Sequence, residues 1–419
     1  MSRKMIFGRY DYAAFLMFAA YAAGSVGVPV ALVQIAADLG FPLTEDGTAA
    51  GGWLHMVRSF GICASMAACA FMAGRWGNRR PAGASVALLG IGMLACAAAP
   101  SYAFLILALL VAGLGEGVIE GLGTPFVQDL HKEEPGRYVN FTHGFWSLGV
   151  LAVTLLFGAL LREGVSWRIL LALAGVFAFV PAALLLAPER RTVYPERKEK
   201  LSAARVAGQA IAIFRTRRFW IYFAAMFLAG GGEFCLTFWC ASFIQVDLKA
   251  SALAGGIGTA AFALGMFGGR TGFGFLMRQR HLKGLLIITG IAATLTSMLI
   301  PWIARRAMAL AASGGDAAWA FPSLCATLFV AGVATAPFWP SIQTYAVERM
   351  PHLDSTMMFV LLSCAGIPGC GFFTLLLGYM GRSVGLTASF YLVPACFAVM
   401  VALLLADPQR GWRKPRMSP

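Results

Sequence analysis

The sequence predicts an all-α membrane protein that crosses the bilayer with twelve helices. The first observation is the composition: 59% of the 419 residues are hydrophobic, only 12% are charged, and the mean hydropathy is +0.74. A soluble domain carries about 25% charged residues. The second observation is that apolar runs long enough to span the hydrocarbon core recur along the whole chain. They cover residues 10–34, 48–73, 82–100, 102–127, 138–161, 167–187, 219–243, 253–277, 284–303, 322–347, 354–381 and 386–406.

The distribution of basic residues predicts the orientation in the membrane. Of the 33 Lys and Arg residues, 25 lie on the predicted side of the amino terminus and 6 on the opposite side, while Arg58 and Arg270 lie within spans. Because cytoplasmic segments are enriched in Lys and Arg, we expect both termini in the cytoplasm and the protein in the cytoplasmic (inner) membrane. The net charge of +14 then reflects topology and contact with anionic lipid, so nucleic acid is not expected as a partner.

The first two spans contain the first signs of a polar path. Span 1 is rich in Gly and Ala and is interrupted by Pro29, which is typical of helices that pack closely or bend around a cavity. Span 2 places Arg58 within about 4 Å of the span centre by helix rise. A guanidinium at this depth requires a partner. Two interpretations stay open: a structural ion pair with Glu116, which lies at a similar depth, and an arginine that contacts the substrate or gates its path.

Span 4 carries two carboxylates on one helix face. Glu116 and Glu120 are four residues apart, so they lie about 6 Å apart along the axis and point in nearly the same direction. A carboxylate inside the membrane is costly unless it faces water, finds a partner or takes up a proton. Thr124 extends this face. A neighbouring stripe predicts close approach of another helix: Gly113, Gly117 and Gly121. Together these features predict a helix that lines a transport path.

Span 5 opens with three polar or aromatic residues on one arc. Asn140, His143 and Trp146 follow each other at intervals of three residues. By helix rise, His143 lies about 10 Å and Glu120 about 8 Å to the cytoplasmic side of the membrane centre. Two interpretations stay open: an acid and an imidazole that handle a proton together, and a histidine that only forms hydrogen bonds within the helix bundle.

Span 7 combines helix-weakening residues with an acid. Gly230, Gly231 and Gly232 directly precede Glu233 near the midplane. Each glycine weakens a helix by about 1 kcal/mol relative to alanine. We therefore expect local unwinding beside the acid, as at transport sites. Trp239 adds aromatic surface to the same span.

Span 10 is predicted to kink. Pro337 and Pro340 flank Trp339, and Gln343 follows one turn later. Prolines three residues apart interrupt the hydrogen-bond ladder. Span 11 contains GIPGCG, which predicts a further break. Interrupted helices at comparable places in both halves point to a site near the midplane.

Two short basic turns indicate an internal repeat. AGRWGNRRP follows span 2, and GGRTGFGFLMRQRH follows span 8. Each turn comes after the second helix of a six-helix unit. The interpretation is an N-terminal six-helix bundle (1–187), a cytoplasmic linker (188–218) and a C-terminal six-helix bundle (219–419). The linker contains an amphipathic stretch around Ala203–Phe214 that is expected to lie on the inner leaflet.

The first of these turns resembles the signature loop of the major facilitator superfamily, although Gly74 stands where that family has an Asp. The twelve-helix plan resembles the same superfamily over the whole chain. This resemblance implies the major facilitator fold, with two pseudo-symmetric six-helix bundles. Arg75 and Arg79 of the first turn, and Arg270, are expected to act in gating.

A narrower resemblance covers spans 4 and 5. EGLGTPF and NFTHGFWSLG are similar to helix 4 and helix 5 motifs of the L-fucose:proton symporter family, with Thr124, His143 and Trp146 replacing that family's Asn, Gln and Asn. PFWPSI and the Gly-x-Pro-Gly break are similar to its helices 10 and 11. The resemblance implies that Glu120 couples protons and contacts sugar. The family's Asp in helix 1 is absent here, so Glu116 or Glu233 would supply a second titrating group.

These observations lead to one main functional hypothesis. It is a secondary transporter, not an enzyme, that moves a sugar or a similar small polar metabolite by alternating access with protons. Glu120, Glu116 and His143 would couple the protons. The expected substrate-binding residues are Asn140, His143, Trp146, Glu233, Trp239, Trp339, Gln343 and Arg58. No metal or other cofactor is expected, Na⁺ is the alternative coupling ion, and a monomer is expected.

Two further hypotheses stay open. The first is a proton-driven exporter of amphipathic or drug-like compounds, in which acids in an aromatic cavity select cations. The second is a membrane sensor or scaffold that transports nothing. ATP-driven pumping is disfavoured because the sequence contains no Walker A motif.

Overall fold

The computed structural model describes residues 5–41, 43, 48–132, 135–188, 193–195, 203–276 and 281–407. The regular elements of these residues are α-helices. In chain order they are α1 (Arg9–Leu39), α2 (Thr48–Trp76), α3 (Arg79–Ala97), α4 (Tyr102–Leu130), α5 (Pro135–Arg162), α6 (Trp167–Leu186), α7 (Ala203–Phe214), α8 (Arg217–Val246), α9 (Ala252–Leu276), α10 (Leu282–Ala312), α11 (Ala320–Thr335), α12 (Phe338–Arg349), α13 (Ser355–Val384), α14 (Leu386–Ser389) and α15 (Leu392–Ala406).

The predicted twelve crossings are confirmed. Among the described residues, 11 segments are long and apolar enough to cross a membrane. α11 and α12 together form one of these segments, and α14 and α15 form another. The twelfth crossing is α2, a helix of 29 residues that contains His55 and Arg58 and packs against α4 and α13.

The two halves of the chain repeat the same packing scheme. In the N-terminal half (α1–α6), α1 packs on α5 and α6, α2 on α4, and α3 on α4 and α6. In the C-terminal half (α8–α15), α8 packs on α13 and α15, α9 on α11, and α10 on α11 and α15. These are the same pairs at equivalent positions of the two six-helix units. The halves meet mainly where α2 packs on α13 and α5 packs on α9, with a smaller contact between α1 and α8.

The glycine stripe of α4 brings two helix backbones together, as predicted. A Cβ atom at Gly113 would meet the carbonyl oxygen of Arg58, and one at Gly117 would meet that of Ile62. The absence of side chains therefore lets α2 lie directly against α4. This close approach positions Arg58 opposite the acidic face of α4.

The three glycines of α8 correct one prediction. The unwinding expected beside Glu233 is absent, since α8 continues without interruption from Arg217 to Val246. A Cβ atom at Gly231 would meet the ring of Phe373, and one at Gly232 would meet the ring of Phe397. The glycines serve close packing against α13 and α15 rather than a break.

The prolines of the C-terminal half give two different outcomes. Span 10 is interrupted as predicted, because α11 ends at Thr335 and α12 begins at Phe338. The break predicted in span 11 is wrong: α13 runs from Ser355 to Val384 with Pro368 inside it.

The linker helix α7 has the bounds of the predicted amphipathic stretch. It packs against α8 and α13. Gln209 of α7 donates a hydrogen bond to the Asp354 carboxylate (3.2 Å), which also caps the first turn of α13 through the Met357 N–H (2.8 Å).

Candidate functional site

Five charged side chains from four helices lie within the membrane-spanning part of the protein. We call them the charged cluster: Arg58 of α2, Glu116 and Glu120 of α4, Glu233 of α8 and Arg270 of α9. Charges at this depth are costly unless they are paired or reach water. The partners of the five side chains therefore determine which charges are balanced within the protein.

Arg58 and Glu116 form the structural ion pair that equal depth suggested. Arg58 Nη2 lies 2.5 Å from Glu116 Oε2, and the two side chains are only 4% and 0% exposed. The same Nη2 donates to Ser25 Oγ of α1 at 2.8 Å. A Cβ atom at Gly24 would lie 2.7 Å from Glu116 Oε1. The Gly-rich sequence of α1 thus leaves the room that the pair occupies.

Arg270 and Glu233 form a second, looser pair. Arg270 Nη2 lies 3.5 Å from Glu233 Oε1. The guanidinium carbon of Arg270 also lies 5.4 Å from the centre of the Trp146 ring, a cation–π distance. Trp146 belongs to the N-terminal half and Arg270 to the C-terminal half, so this contact crosses the interface between the halves. The prediction that Arg270 acts in gating did not include a contact with Glu233 or with Trp146.

Glu120 is the carboxylate of the cluster without an ion pair to Lys or Arg within the described residues. It is half-buried, whereas Glu116 and Glu233 are buried. The Tyr21 side chain of α1 interacts with its carboxylate, and the Arg270 guanidinium attracts it from a greater distance. Glu120 therefore differs from Glu116 and Glu233, each of which is paired with an arginine.

His143 has a hydrogen-bond partner one helical turn beyond Glu120. Its Nε2 lies 2.9 Å from Thr124 Oγ1, and its ring lies 4.5 Å from the ring of Phe18. This geometry fits the interpretation in which His143 forms hydrogen bonds within the bundle. Asn140 lies on α5, but its side chain is outside the described part of the chain.

Three residues that were expected to contact substrate serve helix packing in this structure. Trp239 is fully buried, and its indole donates to the carbonyl of Thr374 at 3.0 Å. Gln343 donates to Ser363 Oγ at 2.9 Å. Trp339 packs its ring over Gly366, where a Cβ atom would lie 2.5 Å from the indole. Their polar groups and rings join α8, α12 and α13 to each other.

The arginines of the first basic turn have different surroundings. Arg75 is exposed and lies 5.9 Å from the Trp76 ring. Arg79 is buried, donates to the carbonyl of Leu185 at 2.6 Å and lies over the ring of Tyr10. Arg79 thus ties α3 to α6 and α1 within the N-terminal half.

Two small voids adjoin the charged cluster. The Trp146 void lies between α5, α8 and α9 and is lined by Trp146, Ser147, Val150, Thr237, Thr259, Phe262, Ala263 and Met266. Within the described residues, Trp146 Nε1 and Ser147 Oγ have no hydrogen-bond partner. The second void lies between α1, α2, α4 and α8 and includes Ser25, His55 and Arg58 in its lining. Each void has a volume of about 10 Å³, which is room for about one water molecule, and the polar groups without partners at both voids can hydrogen-bond to what enters there.

Sequence reasoning missed Tyr21, Ser25 and the role of His55. All three are polar residues inside apolar spans, which was the available signal. Which helix each one faces depends on how the helices pack, for example α1 against α4 and the His55 ring against Phe234 of α8. Spacing along a single helix carries no information about that.

The halves are hydrogen-bonded at the end of the bundle opposite the start of α1 and the end of α15. Gln34 of α1 donates to Gln245 of α8 at 3.1 Å, and Thr48 of α2 donates to the carbonyl of Gly378 at 2.6 Å. We call this the sealed end. Because the number of crossings is even, the start of α1 and the end of α15 lie together at the other end.

A twelve-helix bundle with repeated halves and a buried charged cluster between them has the architecture of a membrane transport protein. The sequence profile of the Major Facilitator Superfamily matches residues 13–317. The chain therefore belongs to the Major Facilitator Superfamily, whose members are membrane transporters. No curated protein matches the sequence.

Solved structures share this fold at low sequence identity. The nucleoside transporter NupG, crystallised as a mutant, has a TM-score of 0.72 and 14% identity, with 95% of this chain and 98% of that chain covered. A bacterial homologue of the human lysosomal transporter Spinster, in an inward-facing and occupied conformation, has a TM-score of 0.69 and 14% identity, with 94% and 95% covered. At this identity the likeness concerns the fold alone.

Proposed function

We propose that the protein is a proton-coupled symporter of a small, neutral, hydroxyl-rich solute such as a sugar or a nucleoside. The observation that carries the proposal is the charge balance of the cluster. Arg58 is paired with Glu116, and Arg270 with Glu233. Three acids and two guanidiniums leave one carboxylate over, and Glu120 is that carboxylate.

Protonation of Glu120 decides whether the cluster is neutral. With Glu120 ionised the cluster carries one negative charge, and with Glu120 protonated it carries none. A neutral cluster can be closed off from water at little cost, whereas a charged one requires solvation. A proton on Glu120 therefore favours the occluded states through which the two halves exchange access, which couples proton movement to solute movement.

The lining of the Trp146 void supports a hydroxyl-rich solute. Trp146 offers a flat ring and an N–H without a partner, and Ser147 offers a hydroxyl without a partner. Flat indoles stack against the apolar faces of ring-shaped solutes, while the N–H and hydroxyl bind their oxygens. The resemblance of spans 4 and 5 to the L-fucose:proton symporter family and the nucleoside transport named for NupG support the same substrate class.

The bias of Lys and Arg supports an orientation with both termini in the cytoplasm. In this orientation the sealed end would face the outside. The solute would leave between the halves on the side of Glu120 and His143.

Uptake into proteoliposomes tests the proposal. A thermal-shift screen of neutral sugars, nucleosides and lipophilic cations selects the solute, and an inward proton gradient then drives its uptake. We expect Glu120→Gln to lose accumulation under the gradient and to keep exchange of labelled for unlabelled solute, because the substituted cluster is permanently neutral. Glu163→Gln, in an exposed loop, is the matched control.

Two outcomes contradict the proposal. The first is full accumulation by Glu120→Gln under the proton gradient, which removes this residue from coupling. The second is export of cations from the compartment in exchange for protons that enter down an inward proton gradient. This result identifies an exporter.

A further inference from the structure

The void on the sealed-end side of the charged cluster is lined by a histidine, His55, that has no role in the proposed proton coupling. We call it the His55 void. Its polar wall consists of Ser25, His55 and Arg58, and its apolar wall includes Val28, Leu54 and Phe238. His55 is only 2% exposed. Residues of both halves line the void, because Phe238 belongs to α8 and the others to α1 and α2.

The neighbours of His55 fix the orientation of its ring. The ring is stacked on that of Phe234, with centroids 4.5 Å apart and an angle of 9° between the planes. It also lies 5.3 Å from the ring of Phe238. Both phenylalanines belong to α8 in the C-terminal half. The imidazole is thus held between the halves in one plane.

Arg58 determines which nitrogen of His55 carries the proton. Arg58 Nη1 lies 3.2 Å from His55 Nδ1. A guanidinium has donors and no acceptor, so Nδ1 must be the acceptor of this hydrogen bond. A neutral imidazole that accepts at Nδ1 carries its hydrogen on Nε2. His55 therefore presents an N–H donor on the side facing away from Arg58.

This donor has no acceptor among the described residues. His55 Nε2 is buried without a hydrogen-bond partner, and so is Arg58 Nε. Buried donors are rarely left unpaired, because desolvation without a replacement hydrogen bond is costly. The unpaired N–H of His55, at a void that its own side chain lines, forms a site for an acceptor atom.

We propose that His55 Nε2 binds an acceptor oxygen of the transported solute at the deep end of its path. This inference rests on the proposed function and specifies the solute further. The charge of Arg58 is balanced by Glu116, so His55 offers a donor in surroundings without net charge. It fits an uncharged hydroxyl, carbonyl or ether oxygen and disfavours an ammonium group.

Two substitutions separate the donor at Nε2 from the acceptor at Nδ1. In His55→Asn the side-chain oxygen can accept from Arg58 as Nδ1 does, but no donor reaches the position of Nε2. In His55→Gln the longer amide places an N–H near the position of Nε2. His55→Phe keeps the ring against Phe234 and lacks both functions. The readout is the half-saturation concentration for solute exchange in proteoliposomes, with the solute from the thermal-shift screen.

We expect His55→Asn and His55→Phe to raise the half-saturation concentration about tenfold, as for loss of one buried hydrogen bond. We expect His55→Gln to stay within about threefold of the wild type on the same basis. An analogue of the solute without the bound oxygen should bind the wild type more weakly and show no further loss in His55→Asn. His55→Phe carries the test if the Asn variant does not reach the membrane.

The results distinguish this inference from the proposed function. If the wild type shows no proton-driven uptake of any neutral sugar or nucleoside, the proposed function fails. If the wild type shows such uptake while His55→Asn and His55→Phe keep its half-saturation concentration, only the assignment of His55 is overturned. A loss in His55→Gln as large as in His55→Asn overturns the donor role as well.

Discussion

The Arg270 guanidinium lies 5.4 Å from the centre of the Trp146 ring and thereby links the C-terminal half to the N-terminal half inside the membrane. The same guanidinium pairs with Glu233 at 3.5 Å. A cation over an indole contributes about 2 kcal/mol when both groups are desolvated. Arg270 thus joins the ring expected to stack on the solute with the acids expected to control coupling.

Replacement of Arg270 should impair transport more than folding. In Arg270→Gln, Glu233 and Glu120 lose their cation, so the cluster carries two excess negative charges or takes up additional protons. We expect at least a tenfold fall in proton-driven uptake at neutral pH. Uptake by proteoliposomes checks this, with Arg306→Gln, an exposed arginine of α10, as the control. Wild-type uptake by Arg270→Gln would contradict the role given to this residue.

The buried pair of Arg58 and Glu116 should show strong energetic coupling. Removing one partner of a buried ion pair costs about 3–5 kcal/mol, because the remaining charge is left uncompensated. We expect Arg58→Met to lower the thermal unfolding midpoint in detergent more than the double variant Arg58→Met/Glu116→Gln does. Losses that simply add in the double variant would show that the two side chains act independently.

The glycines of the α2–α4 contact should be intolerant of a methyl group. A Cβ atom at Gly117 would meet the carbonyl oxygen of Ile62, whereas one at Gly272 of α9 has no atom within 4 Å. We expect Gly117→Ala to destabilise by about 1–3 kcal/mol through overpacking. The matched Gly272→Ala should be neutral or stabilising by about 1 kcal/mol, since alanine favours helix. Thermal unfolding in detergent compares the two, and equal midpoints would refute the packing argument.

The sealed end should have to open during transport. Gln34 and Gln245 are hydrogen-bonded across the halves at 3.1 Å. In the double variant Gln34→Cys/Gln245→Cys, a short bifunctional thiol reagent should link the halves and stop uptake. Each single variant treated in the same way is the control for reaction at native thiols. Continued uptake by the fully cross-linked protein would show that this contact does not open.

The sequence predicted the helices well. Helix rise placed Arg58 and Glu116 at a similar depth and left an ion pair as one of two interpretations, and the ion pair is present at 2.5 Å. The stripe of Gly113, Gly117 and Gly121 predicted the close approach of another helix, and the structure shows that this helix is α2. Both predictions rest on the fixed geometry of a single helix and on pairing between elements of one half.

Predictions that depended on the tertiary neighbours succeeded less often. Three consecutive glycines have a low helix propensity both in a helix that unwinds and in one that packs closely against a ring. Here the rings of Phe373 and Phe397 pack on Gly231 and Gly232, and the helix stays continuous. The pairing of Arg270 with Glu233 and the stacking of His55 on Phe234 also depend on which helices meet. The sequence of a single protein does not show which of its helices contact each other.

The most direct test of the central claim follows protons rather than solute. Proteoliposomes loaded with a pH-sensitive dye receive an inward gradient of the transported solute without a pH gradient. The account predicts that the wild type acidifies the lumen as solute enters, and that Glu120→Gln admits solute without acidification. Acidification by Glu120→Gln at the wild-type ratio of protons to solute would contradict the claim that Glu120 carries the coupled proton.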